Sequence, residues 1–255
     1  KIKISFYGAG NYATATLIPL MKDSGKVSFN GLVTSTGMSA QSVAKKFDFS
    51  YCASDYKEIL NDKNDVVAIT TRHDTHSKAI CDALAANKNV YVEKPLALSV
   101  SELEDIHKAY TDNAKSQIMV GFNRRFAPAT NEIIQHFESV KSPLVINIRV
   151  NAGFIPADHW TQDAQEGGGR MIGEGCHFID LASAISKSNV KTIYAVGSSK
   201  EEKSALLNDN LCLTLTFENG SIANITYTAD GSKAMSKEYI EVFGGGRSAQ
   251  IKDFK

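Results

Sequence analysis

The chain has 255 residues, enough to bury one or two hydrophobic cores. Its 28 Lys and Arg balance 28 Asp and Glu, which leaves no electrostatic footprint for nucleic acid or an anionic membrane surface. No apolar stretch approaches the roughly 18 residues of a membrane span, so neither nucleic acid nor membrane is expected as a partner.

The first predicted strand carries Ile2, Ile4 and Phe6 in alternation, and Gly8-Ala9-Gly10-Asn11-Tyr12-Ala13 follows it directly. A G-x-G-x-x-A run between a strand and a helix is the pattern that wraps a dinucleotide pyrophosphate. Gly8 permits the tight turn, Gly10 has no side chain to hold the phosphates away, and small Ala13 lets helix and strand pack closely. Asn11 and Tyr12 stand at the helix N-terminus, where N–H groups and a positive dipole end favour phosphate. The helix runs through Leu17 and Met21, a strand covers 29–34, a helix covers 40–47, and a short element lies near Tyr51. The apolar run 65–70 suits a buried parallel strand. Residues 76–87 are helical, with Ala79, Ile80, Ala83 and Leu84 on one face, and 89–92 form a strand. Ser99 and Glu102 fit a capping box that opens a helix to about Ala114, and 118–122 make a sixth strand. This alternation predicts a Rossmann domain over 1–122, a doubly wound parallel sheet.

Past Asn123 the pattern changes. Strands are predicted at 144–150, 191–198 and 211–217, the last with Leu211, Leu213, Leu215 and Phe217 on one face, and a helix at 176–186. Asn219-Gly220 signals a hairpin returning through 221–228, and Gly244-Gly245-Gly246 sits between strands at 238–243 and 248–251. The overall class is α/β: the Rossmann domain, then a substrate-binding and oligomerisation α+β domain over 123–255, a largely antiparallel open sheet with helices on one face. The uncovered face predicts burial against a partner. Cys52, Cys81, Cys176 and Cys212 stand far apart, which reads as reduced thiols in a cytoplasmic protein. Cys176 precedes His177, but helix neighbours point about 100° apart, so the thiol reads as buried rather than as a nucleophile. His73 and His76 lack a third ligand, so no metal is expected. The chain opens on a strand with no signal peptide, and Lys1 in place of Met predicts a piece of a longer protein.

Four segments stand in order: GAGNYA at 8–13, TTRHDTH at 70–76, VEKPLAL at 92–98 and GGGRMIGEGCHFIDL at 167–181. The set resembles the glucose–fructose oxidoreductase / inositol dehydrogenase / MocA family over nearly the whole chain. Arg124-Arg125-Phe126 and Gly-Glu-Gly-Cys-His resemble most the subgroup in which this module follows a zinc-alcohol-dehydrogenase-like half. The resemblance implies NAD or NADP as cofactor and hydride transfer with a sugar, polyol or nucleotide-sugar hydroxyl. The same family also implies an alternative, NAD-dependent glycoside cleavage; a third reading is a dinucleotide-binding regulator without turnover. It implies a homodimer or higher homo-oligomer through the second sheet.

Carried over residue by residue, Lys94 of Glu93-Lys94-Pro95 is implied to face the nicotinamide and the reacting carbon, where its charge favours a developing oxyanion. Pro95 in the family often follows a cis bond. His177 is the implied second catalytic member. Glu174, His177 and Asp180 recur every three residues and are expected to share a helix face, with a carboxylate fixing the imidazole tautomer. The family pattern breaks at Gly173, where relatives carry an Asp, and Glu174 is expected to substitute for it. Thr71-Arg72-His73-Asp74-Thr75-His76 stands where the family has T-P-N-x-x-H, beside the nicotinamide ribose. Asn123, Arg124, His159, Trp160 and Asp180 are the substrate candidates, with Arg124 a clamp for phosphate or carboxylate and Trp160 a stacking surface. After the second strand Val33-Thr34-Ser35-Thr36 offers Thr34 and Ser35 to the ribose and no acid for a 2′-OH, which predicts tolerance of NADP.

Overall fold

The computed structural model describes residues 1–34, 37–198 and 209–254, and the chain divides into two units, Lys1–Gly121 and Phe122–Lys255. The first is built on a parallel sheet ordered β3-β2-β1-β4-β5-β6. Its strands are β1 (Ile2–Tyr7), β2 (Val27–Val33), β3 (Tyr51–Ala53), β4 (Val66–Ile69), β5 (Asn89–Val92) and β6 (Ile118–Val120). Between them lie a π-helical turn (Ala13–Leu17) continuing into α1 (Ile18–Asp23), then α2 (Gly37–Phe47), α3 (Tyr56–Asn61), α4 (His76–Ala85) and α5 (Val100–Asp112).

Central strands of such a sheet bury both faces, and each face here has its own core. Ile4, Phe6, Phe29 and Leu32 pack with Ile18, Phe47 and Phe49 on one side. Val67, Ile69, Val90 and Val92 pack with Ile59, Ile80, Leu84 and Ile106 on the other. The strand order reverses between β1 and β4, and in doubly wound sheets that point opens a crevice at the strands' carboxyl ends. The capping box forms: Ser99 Oγ accepts from the Glu102 N–H at 3.2 Å, while Glu102 Oε2 accepts from Leu98 N–H at 2.7 Å. The short α3 was not legible in the periodicity; Asp55 caps it by accepting from Lys57 N–H.

The second unit carries a sheet ordered β12-β11-β7-β10-β9-β8. The strands are β7 (Val145–Asn151), β8 (Val190–Gly197), β9 (Leu211–Phe217), β10 (Ile222–Thr228), β11 (Glu238–Gly244) and β12 (Arg247–Lys252). Both predicted hairpins are present. Gly220 has φ +84°, and Gly245 and Gly246 have φ +56° and +74° in the two-residue turn joining β11 to β12. Pairing is antiparallel except between β7 and β10, which run parallel, because the chain crosses over through a helix and two more strands before returning beside β7. Helices α6 (Pro128–His136) and α7 (Cys176–Ser186) cover one face, burying Ile133, Phe178, Leu181 and Ile185 on Ile146, Ile148, Leu215, Ile225 and Ile240. The other face stays open, with Tyr194 and Val196 70% and 51% exposed. Among the described residues no helix is long and apolar enough to cross a membrane.

Candidate active site

In the first unit the carboxyl ends of neighbouring strands bring the sequence-predicted residues to one edge. Gly8 follows β1, Thr34 follows β2, Thr71 to His76 follow β4, and Glu93 and Lys94 follow β5. Ser35 lies outside the described residues. Backbone bonds stitch these ends together: Gly8 N–H donates to Val33 O, Thr70 N–H to Tyr7 O, and Glu93 N–H to Ile69 O, at 2.8–2.9 Å. Thr70 Oγ1 adds a bond to Gly8 O at 2.9 Å, a contact that no local sequence signal announced.

The Gly8 turn fits a dinucleotide pyrophosphate on two separate grounds. Gly8 has φ +105°, and a Cβ there would lie 2.7 Å from backbone atoms of Thr70. Gly8 is therefore a requirement of the fold. A Cβ on Gly10 would meet only Thr70 O, 3.9 Å away, so that side of the turn is open space over the start of a helix. Asn11 and Tyr12 begin that helix and are exposed, whereas Ala13 is 2% exposed and belongs to the core below. Thr14 caps the turn by donating from both N and Oγ1 to Gly10 O.

Two strands further along the sheet edge, Lys94 is half-buried and its peptide bond to Pro95 is cis. Tyr91 O–H donates to Glu93 Oε1 at 2.6 Å, and burial pushes the Glu93 carboxyl above the usual range. His73 and His76 are both buried, and among the described residues no group of His, Cys, Asp or Glu is arranged to hold a metal ion. His76 Nδ1 lies 2.7 Å from Pro95 O and Nε2 3.2 Å from Thr71 O. Arg72 is exposed, and Thr71 Oγ1 pairs with Thr75 Oγ1 at 2.5 Å.

In the second unit, His177 occupies the first turn of α7 and is 5% exposed, packing edge-on against Phe122 at 6.0 Å between ring centroids. Glu174 departs from expectation. Residues Met171–Gly175 wind as a π-helical turn, which upsets the three-residue alignment that was to put Glu174 and His177 on one face. Both Glu174 oxygens are engaged elsewhere: Oε1 by Lys237 at 2.6 Å, Oε2 by Tyr227 O–H at 2.5 Å and Arg170 at 3.3 Å. Burial opposes its ionisation, but Lys237, Tyr227 and Arg170 together hold its carboxyl down to about 2. A carboxylate so held stays ionised near neutral pH, and its three partners make Glu174 an anchor for the turn.

Two of the substrate candidates have charged partners within the chain. Arg124 forks onto Glu238 with bonds of 2.9 and 2.5 Å and lies over the Phe178 ring, so its guanidinium is already clamping a carboxylate of its own chain. Asp180 receives a matching fork from Arg125 at 2.8 and 2.5 Å. Asn123 is exposed and lines, with Arg124, Lys237, Glu238 and Phe254, a cavity of about 570 Å³. His159 and Trp160 do not line it; they open a 3-10 turn, Trp160–Gln162, where His159 Nδ1 pairs with Thr161 Oγ1 at 2.8 Å. Tyr227, Lys237 and Glu238 were missed from sequence because each acts across more than 50 residues, and alternation along a strand does not say which distant side chain it meets.

Residues 2–122 match the family described as "Oxidoreductase family, NAD-binding Rossmann fold", and residues 142–249 match the "GFO/IDH/MocA C-terminal domain". An uncharacterized oxidoreductase, YrbE, of Bacillus subtilis is 30% identical over 223 residues, covering 82% of this chain and 62% of that protein. Inositol 2-dehydrogenase of Salmonella typhimurium is 33% identical over 144 residues, covering 55% of this chain and 41% of that protein. The chain thus spans less than two thirds of either relative. A solved structure of levoglucosan dehydrogenase with NADH and levoglucosan superposes with a TM-score of 0.86 at 20% identity, over 98% of this chain and 73% of that one, a likeness of fold. With both halves matched in order, the chain belongs to the GFO/IDH/MocA oxidoreductase family, and its first unit is that family's NAD-binding Rossmann domain.

Proposed function

We propose that this chain transfers hydride between a nicotinamide dinucleotide and a hydroxyl-bearing carbon of a sugar, polyol or nucleotide sugar, with Lys94 and His177 as its catalytic residues. The observation that carries this reading is Lys94 at the carboxyl end of β5, in the same row of strand ends as the open side of the Gly10 turn. The names of the relatives support the substrate class: one is an inositol 2-dehydrogenase and one structure holds NADH with levoglucosan. The nicotinamide, when bound, accepts or supplies the hydride. In the oxidative direction the hydroxyl carbon loses hydride while its oxygen loses a proton. Lys94 hydrogen-bonds that oxygen and favours the negative charge it gains, and His177 takes the proton.

The absence of an acid from Val33-Thr34-Ser35-Thr36 supports acceptance of NADP as well as NAD. The open face of the second sheet supports a homo-oligomer. Four free cysteines suit a reducing compartment such as the cytoplasm. The test is a panel of sugars, polyols and nucleotide sugars offered to the full chain with each cofactor while nicotinamide absorbance is followed. Reduction of NAD or NADP by at least one of them is expected. Tight cofactor binding with no absorbance change across the panel would contradict this reading; glycoside cleavage without net cofactor reduction would then indicate the family's other chemistry, and neither activity a binding module.

A further inference from the structure

We propose that His76 is the positioning residue of the Lys94 loop, fastening the Pro95 carbonyl to the turn after β4. The inference deepens the reading above and rests on it. Lys94 is held by its flanks. On one side Glu93 N–H donates to Ile69 O at 2.9 Å, the last bond of the sheet before the chain leaves it. On the other, Pro95 O lies 2.7 Å from Nδ1 of His76, a residue 19 positions earlier on a different element. The same imidazole reaches the turn after β4 through Nε2, 3.2 Å from Thr71 O. One fully buried ring thus ties two loops that both follow strands at the cofactor edge.

The chemistry of the ring says which nitrogen does the fastening. Both neighbours are carbonyl oxygens, which only accept, and a neutral imidazole has one N–H to give. Burial disfavours the imidazolium; the two carbonyls and Asp74 oppose that, and the Lys94 ammonium adds to the disfavour. The balance favours the neutral ring over the imidazolium. The shorter contact assigns the proton to Nδ1, donating to Pro95 O, while Nε2 stands off from Thr71 O at the longer distance. With the Pro95 end released, the backbone of Lys94 would lose one of the two flanking ties described above. A misplacement of about 1 Å in a catalytic group costs up to about 100-fold in rate.

Three variants of the full chain and one spectrum of the wild type test this. His76→Leu removes both ring contacts and should lower kcat about 10- to 100-fold while NAD affinity, read by fluorescence titration, stays within about 3-fold. His76→Asn keeps an N–H close to the place of Nδ1 and should recover most of the lost kcat; an Asn variant as slow as Leu overturns the assignment. Wild-type kcat in His76→Leu, with Lys94→Met inactive, overturns the latch and leaves the catalytic reading standing. Full activity in Lys94→Met overturns the catalytic reading and the latch together. Independently of any turnover, ¹⁵N spectra of histidine-labelled wild type should show His76 as the Nδ1–H tautomer. An Nε2–H tautomer would leave Pro95 O without its donor and contradict the proposal.

Discussion

Gly8 and Gly10 separate two demands that a glycine-rich turn makes on its sequence. A side chain at Gly8 would strike the Thr70 backbone and would force φ +105° on an L residue, so Gly8→Ala should lower unfolding stability by about 1–3 kcal/mol or more in urea. Gly10 meets nothing closer than 3.9 Å. Gly10→Val should therefore unfold near the wild-type denaturant concentration while losing dinucleotide affinity; retained affinity would move the pyrophosphate away from this turn. The turn role of Gly8 was legible in sequence from the spacing alone. The fate of Glu174 was not. Its carboxyl is held at about 2 against an ordinary 4.5, so its native pKa is depressed. Its contribution is present above about pH 4.5 and is lost as pH falls towards 2, on the order of 3 kcal/mol at most. The stability gap between wild type and Glu174→Gln, measured by denaturant, should narrow over that window. A gap independent of pH would mean that the charge of Glu174 contributes nothing.

At the scale of elements, the strand–helix alternation of the first unit followed from periodicity because buried parallel strands and one-faced helices leave distinct patterns. Ser99 and Glu102 were readable as a cap, and Ser99→Ala should cost about 1 kcal/mol in thermal or urea unfolding; no loss would mean that the Glu102–Leu98 bond suffices alone. Helix α6 escaped, although Ala127-Pro128 is a start signal with hindsight: Pro at the first helical position and extended backbone before it. The two π-helical turns, Ala13–Leu17 and Met171–Gly175, leave no periodic trace, since each is a local accommodation beside a glycine-bearing segment. The second turn is tied at Glu174 to Tyr227 on β10 and to Lys237 just before β11. That long-range tie is invisible in a one-dimensional pattern.

At the scale of the whole molecule, the class of each unit was legible and the strand order of the second was not. Periodicity identifies strands and tight turns fix hairpins, but nothing local says that β10 returns parallel to β7. The open face that results presents Tyr194, Val196 and Ile222 beside Thr214 and Asn224. If that face closes an oligomer, Tyr194→Lys with Val196→Lys should shift the protein to monomers by light scattering without changing its unfolding midpoint; a wild type that is already monomeric would contradict the interface. The chemistry itself rests on Lys94. The most direct measurement is turnover by Lys94→Met on the substrate that wild type oxidises fastest, with cofactor affinity read in parallel. The account predicts a fall of about 100-fold or more in kcat with dinucleotide affinity nearly unchanged, and wild-type turnover in Lys94→Met would contradict it.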